Sequence, residues 1–262
     1  MTASILQTIV ATKKQEIASL PNTMPKRASG PSFIDAILQR NPALIAEIKP
    51  KSPSGGHLLE REDVPELVRL YTQHAQAISV LCDETYFGGG FDLLREVRSL
   101  TDKPLLAKEF IIDPKQINHA AKNGASAILL IANILEEGTM SHLAAHAITL
   151  GLDVLLEVHT ENDVRKAVMV FQSLPETFQE HVLFGINNRH LDTLEVDLAI
   201  TSKIAPLLKK VLPTIRGIIA ESGIKTRGDI EHLQPFVQGF LIGTSILQAE
   251  DPALHFRSLF AS

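Results

Sequence analysis

Residues 153–186 have the sequence DVLLEVHTENDVRKAVMVFQSLPETFQEHVLFGI, and their pattern is the clearest indication of the fold. It begins with an aliphatic run at 153–156, continues with apolar residues at helical spacing over 161–171, and ends in a second aliphatic run at 182–186. Both runs are nearly continuous rather than alternating, as is typical of parallel strands that are covered on both faces. The stretch therefore predicts a strand, a helix and a second strand parallel to the first.

The same pattern recurs along the chain. The aliphatic runs are residues 43–48, 77–81, 104–107, 127–131, 153–156, 182–186, 217–220 and 239–242. Helical patterns lie between them, for example at residues 64–74, 114–123, 161–171 and 226–233. Eight strands that alternate with helices within roughly 220 residues predict an α/β protein with a closed (β/α)₈ barrel, the TIM barrel. A doubly wound open sheet is the alternative, although no strand is followed by a G-x-G-x-x-G or P-loop pattern.

Residues 1–42 precede the first predicted strand and are expected to form an N-terminal helical extension. Helical periodicity covers residues 5–20, a proline-rich connector covers 21–31, and a short helix is expected at 33–39. No low-complexity segment or strong linker follows. We therefore predict a single barrel domain over residues 1–262.

Composition and charge exclude several classes of protein. Of the 262 residues, 45% are hydrophobic and 21% are charged, which fits a globular protein and excludes a fibrous or disordered one. The net charge of −5 argues against nucleic acid or an anionic membrane surface as a partner. No run approaches the roughly 18 apolar residues of a membrane span, and the amino terminus lacks a signal pattern. We expect a cytoplasmic protein, and a monomer rather than an oligomer.

The cysteine and the histidines do not indicate a metal site. The single Cys82 excludes a disulfide framework and a multi-thiolate site, and it is expected to be a small buried hydrophobe rather than a nucleophile. The ten histidines are scattered, and the pair His142 and His146 is expected on an outer helix face. We therefore predict no bound metal.

Polar side chains are concentrated at the carboxyl ends of the predicted strands, where barrels of this type carry their chemistry. Glu47 and Lys49 share one face of the first strand, and Lys108 shares a face with Phe110. Other strand ends carry Glu157, Asn187, Arg189 and Glu221. Charged residues in aliphatic strands are costly unless they are paired, so the pattern predicts a polar mouth above an apolar barrel floor.

The last two strands end in small residues that favour an anionic ligand. Ser222-Gly223 and Gly243-Thr244 offer backbone N–H groups next to glycine, at the positions where such barrels commonly hold a phosphate. The amines and carboxylates at the other strand ends could protonate a carbonyl, remove a proton and expel water without a metal. These features predict an enzyme that acts on a phosphorylated small molecule.

Several motifs occur along the chain in a fixed order. They are AEIK at residues 46–49 with KSPS at 51–54, SVL at 79–81 with YFGG at 86–89, KEFIIDP at 108–114, GINNR at 185–189 and ESGI at 221–224. Taken together they resemble the indole-3-glycerol phosphate synthase family of tryptophan biosynthesis, and the resemblance spans nearly the whole chain. It implies ring closure of 1-(2-carboxyphenylamino)-1-deoxyribulose 5-phosphate with loss of carbon dioxide and water, and it implies that no cofactor is needed.

The resemblance also implies roles for individual residues. Lys108 would be the general acid that protonates the ribulose carbonyl, and Glu157 would be the general base of the later dehydration. Glu47 and Lys49 would position the substrate and shuttle protons, and the sequence leaves their division of labour open. Residues implied in substrate binding are Asn187 and Arg189 for hydroxyl and carboxylate groups, Ser52, Ser222, Gly223, Gly243 and Thr244 for the phosphate, and Phe87, Phe110 and Leu130 for the anthranilate ring. Glu221 is expected either to contact the substrate or to support a residue that does.

The chain departs from the family pattern in the loop after the first strand. Many members carry a larger residue at the position of Gly55 and a basic or small one at that of Pro50. These departures question the flexibility of the loop and its share in phosphate binding rather than the reaction. We expect removal of residues 1–40 to lower substrate affinity.

Other interpretations of the same residues stay open at this point. Glu47 and Lys49 could form a salt bridge that closes the barrel mouth. The chain could be a phosphosugar isomerase such as phosphoribosylanthranilate isomerase, but that enzyme would want a Cys base near the end of the first strand. It could also be a catalytically silent barrel that binds a phosphorylated ligand, but such a protein would have lost Lys108 and Glu157.

Overall fold

The computed structural model describes residues 5–21, 23–28, 30–53, 55–190 and 193–260. Its strands are β1 (Ala43–Ile48), β2 (Lys51–Ser52), β3 (Gly56–His57), β4 (Ala77–Leu81), β5 (Leu105–Lys108), β6 (Ala127–Ile131), β7 (Asp153–Val158), β8 (Val182–Asn187), β9 (Ile218–Glu221) and β10 (Gly239–Ile242). Its α-helices are α1 (Ile5–Ser19), α2 (Phe33–Leu38), α3 (Val64–His74), α4 (Phe91–Leu100), α5 (Pro114–Lys122), α6 (Glu137–Thr149), α7 (Glu161–Ser173), α8 (Glu176–Gln179), α9 (Ala199–Val211), α10 (Arg227–Leu233), α11 (Thr244–Leu247) and α12 (Pro252–Phe260).

The eight longer strands form a closed parallel barrel. They lie in the order β1, β4, β5, β6, β7, β8, β9 and β10, and β10 pairs with β1 to close the ring. The predicted (β/α)₈ barrel is confirmed, and the open doubly wound sheet is excluded because β1 has a partner on both sides. None of the helices in the ranges given above is long and apolar enough to cross a bilayer.

The strand bounds differ from the sequence prediction at the functional end of the barrel. The prediction matches β1, β4, β6 and β10 at both bounds and misses the other four by one or two residues. Each of those four continues past its aliphatic run to include a polar residue, namely Lys108, Glu157, Asn187 or Glu221. A prediction from hydropathy therefore ends these strands too early, because their last residues are polar site residues that lie in the mouth of the barrel.

Two apolar layers surround the strands. Alternate strand residues such as Ile45, Leu106 and Leu155 point into the barrel and form an inner cluster. Their neighbours along each strand point outward and pack against the helices in a larger cluster. This two-residue period directs the last inward-facing side chain of each strand into the mouth.

The N-terminal helical extension contacts both ends of the barrel. Helix α2 packs Phe33, Ile34 and Ile37 against the inner cluster at the amino ends of the strands. The backbone N–H of Ile34 donates to Oδ2 of Asp153, which begins β7, over 3.1 Å. Helix α1 lies at the opposite end, over the carboxyl ends of the strands, as its contacts with the site show below.

A two-stranded hairpin follows β1. In it β2 and β3 pair antiparallel, Lys51 with His57 and Ser52 with Gly56. Gly56 has φ of 66°, a left-handed conformation that glycine adopts at low cost. The hairpin was not predicted from the sequence, because its strands are too short to give an alternating pattern.

Candidate active site

A cavity of about 560 Å³ opens at the carboxyl ends of the barrel strands. It is lined by fourteen of the fifteen predicted site residues: Glu47, Lys49, Ser52, Phe87, Lys108, Phe110, Glu157, Asn187, Arg189, Glu221, Ser222, Gly223, Gly243 and Thr244. Leu130 is the exception. The barrel thus brings together, in one cavity, side chains from strands that lie up to nearly 200 residues apart in the sequence.

Lys108 lies between two buried carboxylates. Its Nζ is 2.6 Å from Oε2 of Glu221 and 3.4 Å from Oε2 of Glu157, and the two glutamate side chains are only 1% and 2% exposed. Burial alone lowers the pKa of Lys108, but attraction by Glu221, Glu157 and Glu47 outweighs burial and holds this pKa above its usual value. Lys108 is therefore a cation at neutral pH and carries a proton that it can donate.

The two carboxyl groups beside Lys108 differ in protonation. Burial raises the pKa of both, but Lys108 and His159 together bring the pKa of Glu157 below its usual value. Burial and the charge of Glu157 raise the pKa of Glu221 to about 8, although Lys108 opposes this. Near pH 7 the trio thus comprises a cationic Lys108, an anionic Glu157 and a protonated Glu221. Such a set provides an acid and a base in one cavity.

Glu47 and Lys49 form a second charged pair in the cavity wall. Nζ of Lys49 is 2.6 Å from Oε1 of Glu47, and their side chains are 13% and 5% exposed. The salt bridge that the sequence left open is therefore present, and it lies inside the cavity. A Cβ atom at Gly243 would lie 2.6 Å from Oε1 of Glu47, so the absence of a side chain at Gly243 leaves room for this carboxylate.

Small residues line the cavity where β9 and β10 end. Ser222 and Gly223 have φ of 65° and 85°, and a Cβ atom at Gly223 would collide with Val196, so only glycine fits. Helix α11 begins at Thr244, directly after β10. Loops after the seventh and eighth barrel strands, with a short extra helix, are where such barrels hold phosphate groups. Lys225 also lines the cavity here, and the sequence analysis did not single it out.

Another part of the cavity wall is apolar. The rings of Phe87 and Phe110 are 5.9 Å apart, centroid to centroid. Leu129 and Ile131 of β6 line the cavity, whereas Leu130 lies in the outer cluster against the helices. The assignment of Leu130 to the ring pocket was therefore wrong. The two-residue period of the strand places Leu130 on the face opposite its two neighbours.

Comparison with known families matches residues 2–259 to the model for indole-3-glycerol phosphate synthase. The chain belongs to the indole-3-glycerol phosphate synthase family. It is accordingly a carboxy-lyase of tryptophan biosynthesis.

Named relatives match most of the chain. The indole-3-glycerol phosphate synthase of Albidiferax ferrireducens is 37% identical over 98% of this chain and 98% of the relative. That of Lachnospira eligens is 37% identical over 84% of this chain and 80% of the relative. The tryptophan biosynthesis protein TrpCF of Vibrio cholerae is 38% identical over 94% of this chain, which spans 49% of that protein.

Solved structures share the fold at low sequence identity. A protein from Aquifex aeolicus VF5 aligns with a TM-score of 0.63 and 11% identity, over 87% of this chain and 98% of the other. KGPDC from Streptococcus mutans aligns with a TM-score of 0.57 and 14% identity, over 84% of this chain and 96% of the other. At these identities the likeness shows the barrel fold alone.

In this member of the synthase family, helix α1 forms part of the cavity wall. Ile5, Leu6 and Ile9 of α1 line the cavity on its apolar side. The sequence predicted the helix but did not place it. The contact shows that the helical extension completes the site rather than only packing on the barrel.

A buried ion cluster anchors α1 at the mouth. Lys13 is 2% exposed, and its Nζ is 2.7 Å from Asp83, 3.1 Å from Glu109 and 2.8 Å from Glu16. Burial lowers the pKa of Lys13, but the surrounding carboxylates raise it above its usual value. The sequence analysis missed this residue. The available signal was its position seven residues after Leu6, on the apolar stripe of the helix.

Asn187 and Arg189 hold defined positions at the end of β8. The side chain of Asn187 hydrogen-bonds Glu157 and helps to lower the pKa of that carboxyl. Asn187 Oδ1 also accepts from the backbone N–H of Arg189 over 3.0 Å, and the Arg189 guanidinium donates to the carbonyl of Leu194. These contacts hold the amide and the guanidinium in defined positions.

Cys82 has the environment that was expected of it. The side chain is 3% exposed, and burial together with the nearby Glu109 raises the pKa of its thiol, so it is a poor nucleophile at neutral pH. Within the described ranges, no three His, Cys, Asp or Glu side chains form a group that could hold a metal ion.

Proposed function

We propose that the cavity at the carboxyl ends of the strands is the active site in which this chain performs the reaction of its family on 1-(2-carboxyphenylamino)-1-deoxyribulose 5-phosphate. The observation that carries the proposal is the position of Lys108, a half-buried amine between the buried carboxyl groups of Glu157 and Glu221. The cavity around it has an apolar side for an aromatic ring and a glycine-rich side for a phosphate.

In the first step Lys108 acts as general acid. The ring carbon that bears the carboxylate attacks the ribulose carbonyl, and Lys108 gives its proton to the carbonyl oxygen as the new carbon–carbon bond forms. The bond to the carboxylate then breaks, carbon dioxide leaves, and the electron pair of that bond restores the aromatic ring. An ammonium group positioned in a largely buried cavity stabilises the charge that develops on the oxygen.

In the second step Glu157 acts as general base. The new hydroxyl takes up a second proton, which Glu47 and Lys49 shuttle to it, and leaves as water, while Glu157 removes a proton from the carbon next to the nitrogen, which forms the double bond of the indole. Glu157 suits this role because its lowered pKa keeps it anionic at neutral pH. Glu47 and Lys49 are close enough to each other to exchange a proton, at 2.6 Å, and we assign them to positioning the substrate and shuttling protons.

The remaining cavity residues bind the substrate in this proposal. The aromatic ring lies against Phe87 and Phe110, with Leu129 and Ile131 in place of Leu130. Asn187 and Arg189 contact hydroxyl and carboxylate groups. The phosphate is held by Ser52, Ser222, Gly223, Gly243 and Thr244. Glu221 holds the amine of Lys108 in position.

Two further properties belong to the proposal. We propose that the chain is a monomer. We propose the cytoplasm as its location and a small phosphorylated molecule, rather than nucleic acid or membrane, as its partner. The isomerase alternative is disfavoured by the ion pair of Glu47 and Lys49 at the end of β1, where that enzyme would place a cysteine.

The test is to mix the purified protein with the substrate, without metal or cofactor, and to follow indole fluorescence. The chain has no tryptophan to obscure this signal. Lys108→Ala should lower kcat by at least about 100-fold, and Glu157→Gln should lower it by a similar factor. The exposed Lys210→Ala and Glu180→Gln serve as matched controls and should retain parental activity. Tight phosphate-dependent binding without turnover would indicate a silent barrel instead.

A further inference from the structure

Asn188 is fully buried beside the proposed active site and has no role in the steps above. It directly follows Asn187, the last residue of β8. Successive side chains turn to opposite faces of a strand, so Asn187 lines the cavity while Asn188 points away from it. The Asn188 side chain makes four hydrogen bonds, which connect α9 to the loop after β9.

The two ends of the Asn188 amide have different partners. Its Oδ1 accepts from the backbone N–H of Thr201 over 3.1 Å and from the Thr201 hydroxyl over 2.7 Å. Its Nδ2 donates to the backbone carbonyl groups of Glu221 and Ser222 over 3.1 Å and 3.2 Å. A backbone N–H can only donate and a carbonyl can only accept, so the partners on both sides set the orientation of the amide.

The loop after β9 has an unfavourable backbone conformation at Ser222. Its φ is 65°, a left-handed value that costs free energy in a residue other than glycine, so the surrounding structure must hold it. Asn188 does this by binding the carbonyl group of Ser222, which has no other donor in the part of the chain that the structure describes. The buried amide is therefore what holds the peptide between Ser222 and Gly223.

The same hydrogen bond fixes the direction of the next N–H group. In a trans peptide the C=O and the following N–H point in opposite directions. Because the carbonyl of Ser222 points to the buried Asn188, the N–H of Gly223 points away from it, towards the cavity that Gly223 lines. Within the described ranges this N–H has no acceptor, so it is available to an anionic ligand.

We propose that Asn188 is a positioning residue that keeps the N–H of Gly223 directed at the phosphate of the substrate. Without the amide, the carbonyl of Ser222 loses its donor, and the peptide can rotate because glycine tolerates a wide range of φ. A rotated peptide would present its carbonyl oxygen to the phosphate and repel it. Glu221 stays in place, since its carbonyl also accepts from the backbone N–H of Asn188 over 2.9 Å, which remains when the side chain is replaced.

The proposal rests on the proposed function and is tested with two substrates, the phosphorylated one and its counterpart that carries a free hydroxyl instead of the phosphate. In Asn188→Ala, kcat/KM for the phosphorylated substrate should fall at least about tenfold, through a rise in KM with kcat within about threefold of the parent. For the counterpart, kcat/KM should stay within about twofold of the parent, because it has no phosphate for Gly223 to bind. A purely structural role would lower both values equally.

Asn118→Ala is the matched control. Asn118 lies on α5, is 3% exposed and does not line the cavity. Its amide is also bonded at both ends, to Nε2 of His146 over 2.8 Å and to the sulfur of Met24 over 3.6 Å. Its replacement removes a buried amide of the same kind at a distance from the site, so the preference for the phosphorylated substrate should not change.

The kinetic results decide the proposal. A loss confined to the phosphorylated substrate in Asn188→Ala, absent from Asn118→Ala, supports it. Equal losses for both substrates, or no loss, overturn it. If Asn188→Ala does not fold, Thr201→Val takes its place, because it removes one donor to Oδ1 and leaves a side chain of similar size. A loss of at least about threefold confined to the phosphorylated substrate is then expected, and its absence overturns the proposal.

Binding of inorganic phosphate separates a failure of this proposal from a failure of the proposed function. It is titrated by calorimetry at constant ionic strength and needs no turnover. Asn188→Ala should bind phosphate at least about fivefold more weakly than the parent, and Asn118→Ala should bind it as the parent does. A parent that turns over neither substrate refutes the proposed function, and the phosphate titration then decides this proposal alone. Equal binding by the parent and Asn188→Ala overturns it.

Discussion

Glu221 changes protonation state close to neutral pH. Its carboxyl group is 2.6 Å from the amine of Lys108, and burial together with Glu157 raises its pKa to about 8. Its side chain also needs space that Gly185 provides, since a Cβ atom at Gly185 would collide with Oε1 of Glu221. A residue that the sequence marked only as a strand end thus sets the charge beside the proposed acid.

This protonation predicts a pH dependence of catalysis. Above about pH 8 Glu221 loses its proton, and the added negative charge makes Lys108 hold its own proton more tightly. We expect kcat/KM to fall as the pH rises through this value, because kcat/KM follows the titration of the free enzyme. Glu221→Gln mimics the protonated carboxyl, so its pH profile should lack this fall. A fall of equal size and midpoint in Glu221→Gln would contradict the assignment.

At the scale of elements, the cover over the site depends on one buried lysine. Helix α1 supplies Ile5, Leu6 and Ile9 to the cavity, and Lys13 fixes the helix to Asp83 and Glu109. Removal of residues 1–40, which the sequence suggested as a test, would also remove α2 from the other end of the barrel. A point substitution in α1 tests the role of that helix without removing α2.

We expect Lys13→Met to lower the free energy of unfolding by about 3 kcal/mol, because it leaves two carboxylates buried without their cation. It should also raise KM more than it lowers kcat, since the displaced helix removes part of the proposed ring-binding wall while the proposed acid and base stay in place. Chemical denaturation and steady-state kinetics measure the two effects. Lys14→Met is the control, because Lys14 is exposed on the same helix. Unchanged KM in a destabilised Lys13→Met protein would refute the role of the anchor in binding.

The sequence predicted elements better than it predicted the directions of side chains. Continuous aliphatic runs located all eight barrel strands, because parallel strands buried on both faces leave that signal. The same continuity hides which face a residue occupies, and this is why Leu130 was assigned to the pocket while Leu129 and Ile131 line it. The charged residues were placed correctly at the mouth, because counting every second residue from the inward-facing Ile45 and Leu106 shows which side chains point into the barrel.

Contacts between distant parts of the chain were beyond the sequence pattern. Lys13 and Glu109 are separated by 96 residues, and no local sequence pattern around either residue indicates that the two are in contact. His159 lies 3.3 Å from the carboxylate of Glu157, and the sequence left a structural pairing of Glu157 with a nearby histidine only as the less favoured alternative to a catalytic Glu157. The unpaired ring nitrogens of His159 became visible only with the packing around them.

At the scale of the whole molecule, one buried carboxyl group couples stability to pH. Burial raises the pKa of Glu109 from 4.5 to about 7, although Lys13 opposes this, and Asp83 adds to it. The folded state therefore binds this proton more tightly than the unfolded state. The resulting stability is fully present below the unfolded pKa, and it is lost as the pH rises through the folded pKa.

Glu109→Gln should remove this contribution. As the pH rises from about 5 to about 8, we expect the free energy of unfolding of the parent to fall relative to that of the variant by about 1–3 kcal/mol. Urea unfolding of both proteins across this range gives the difference directly. A constant difference would show that Glu109 keeps an ordinary pKa in the folded protein.

The N-terminal helical extension touches both ends of the barrel, and this has a consequence for synthesis on the ribosome. Lys13 and Ile34 are made before their partners Glu109 and Asp153, which lie 96 and 119 residues later. At about 10 residues per second, each helix waits roughly ten seconds before the surface that buries it exists. β1 waits longer still, since its partner β10 is the last strand made. Helices α1 and α2 are therefore buried well after they are made, once the strands and loops that carry their partners have followed.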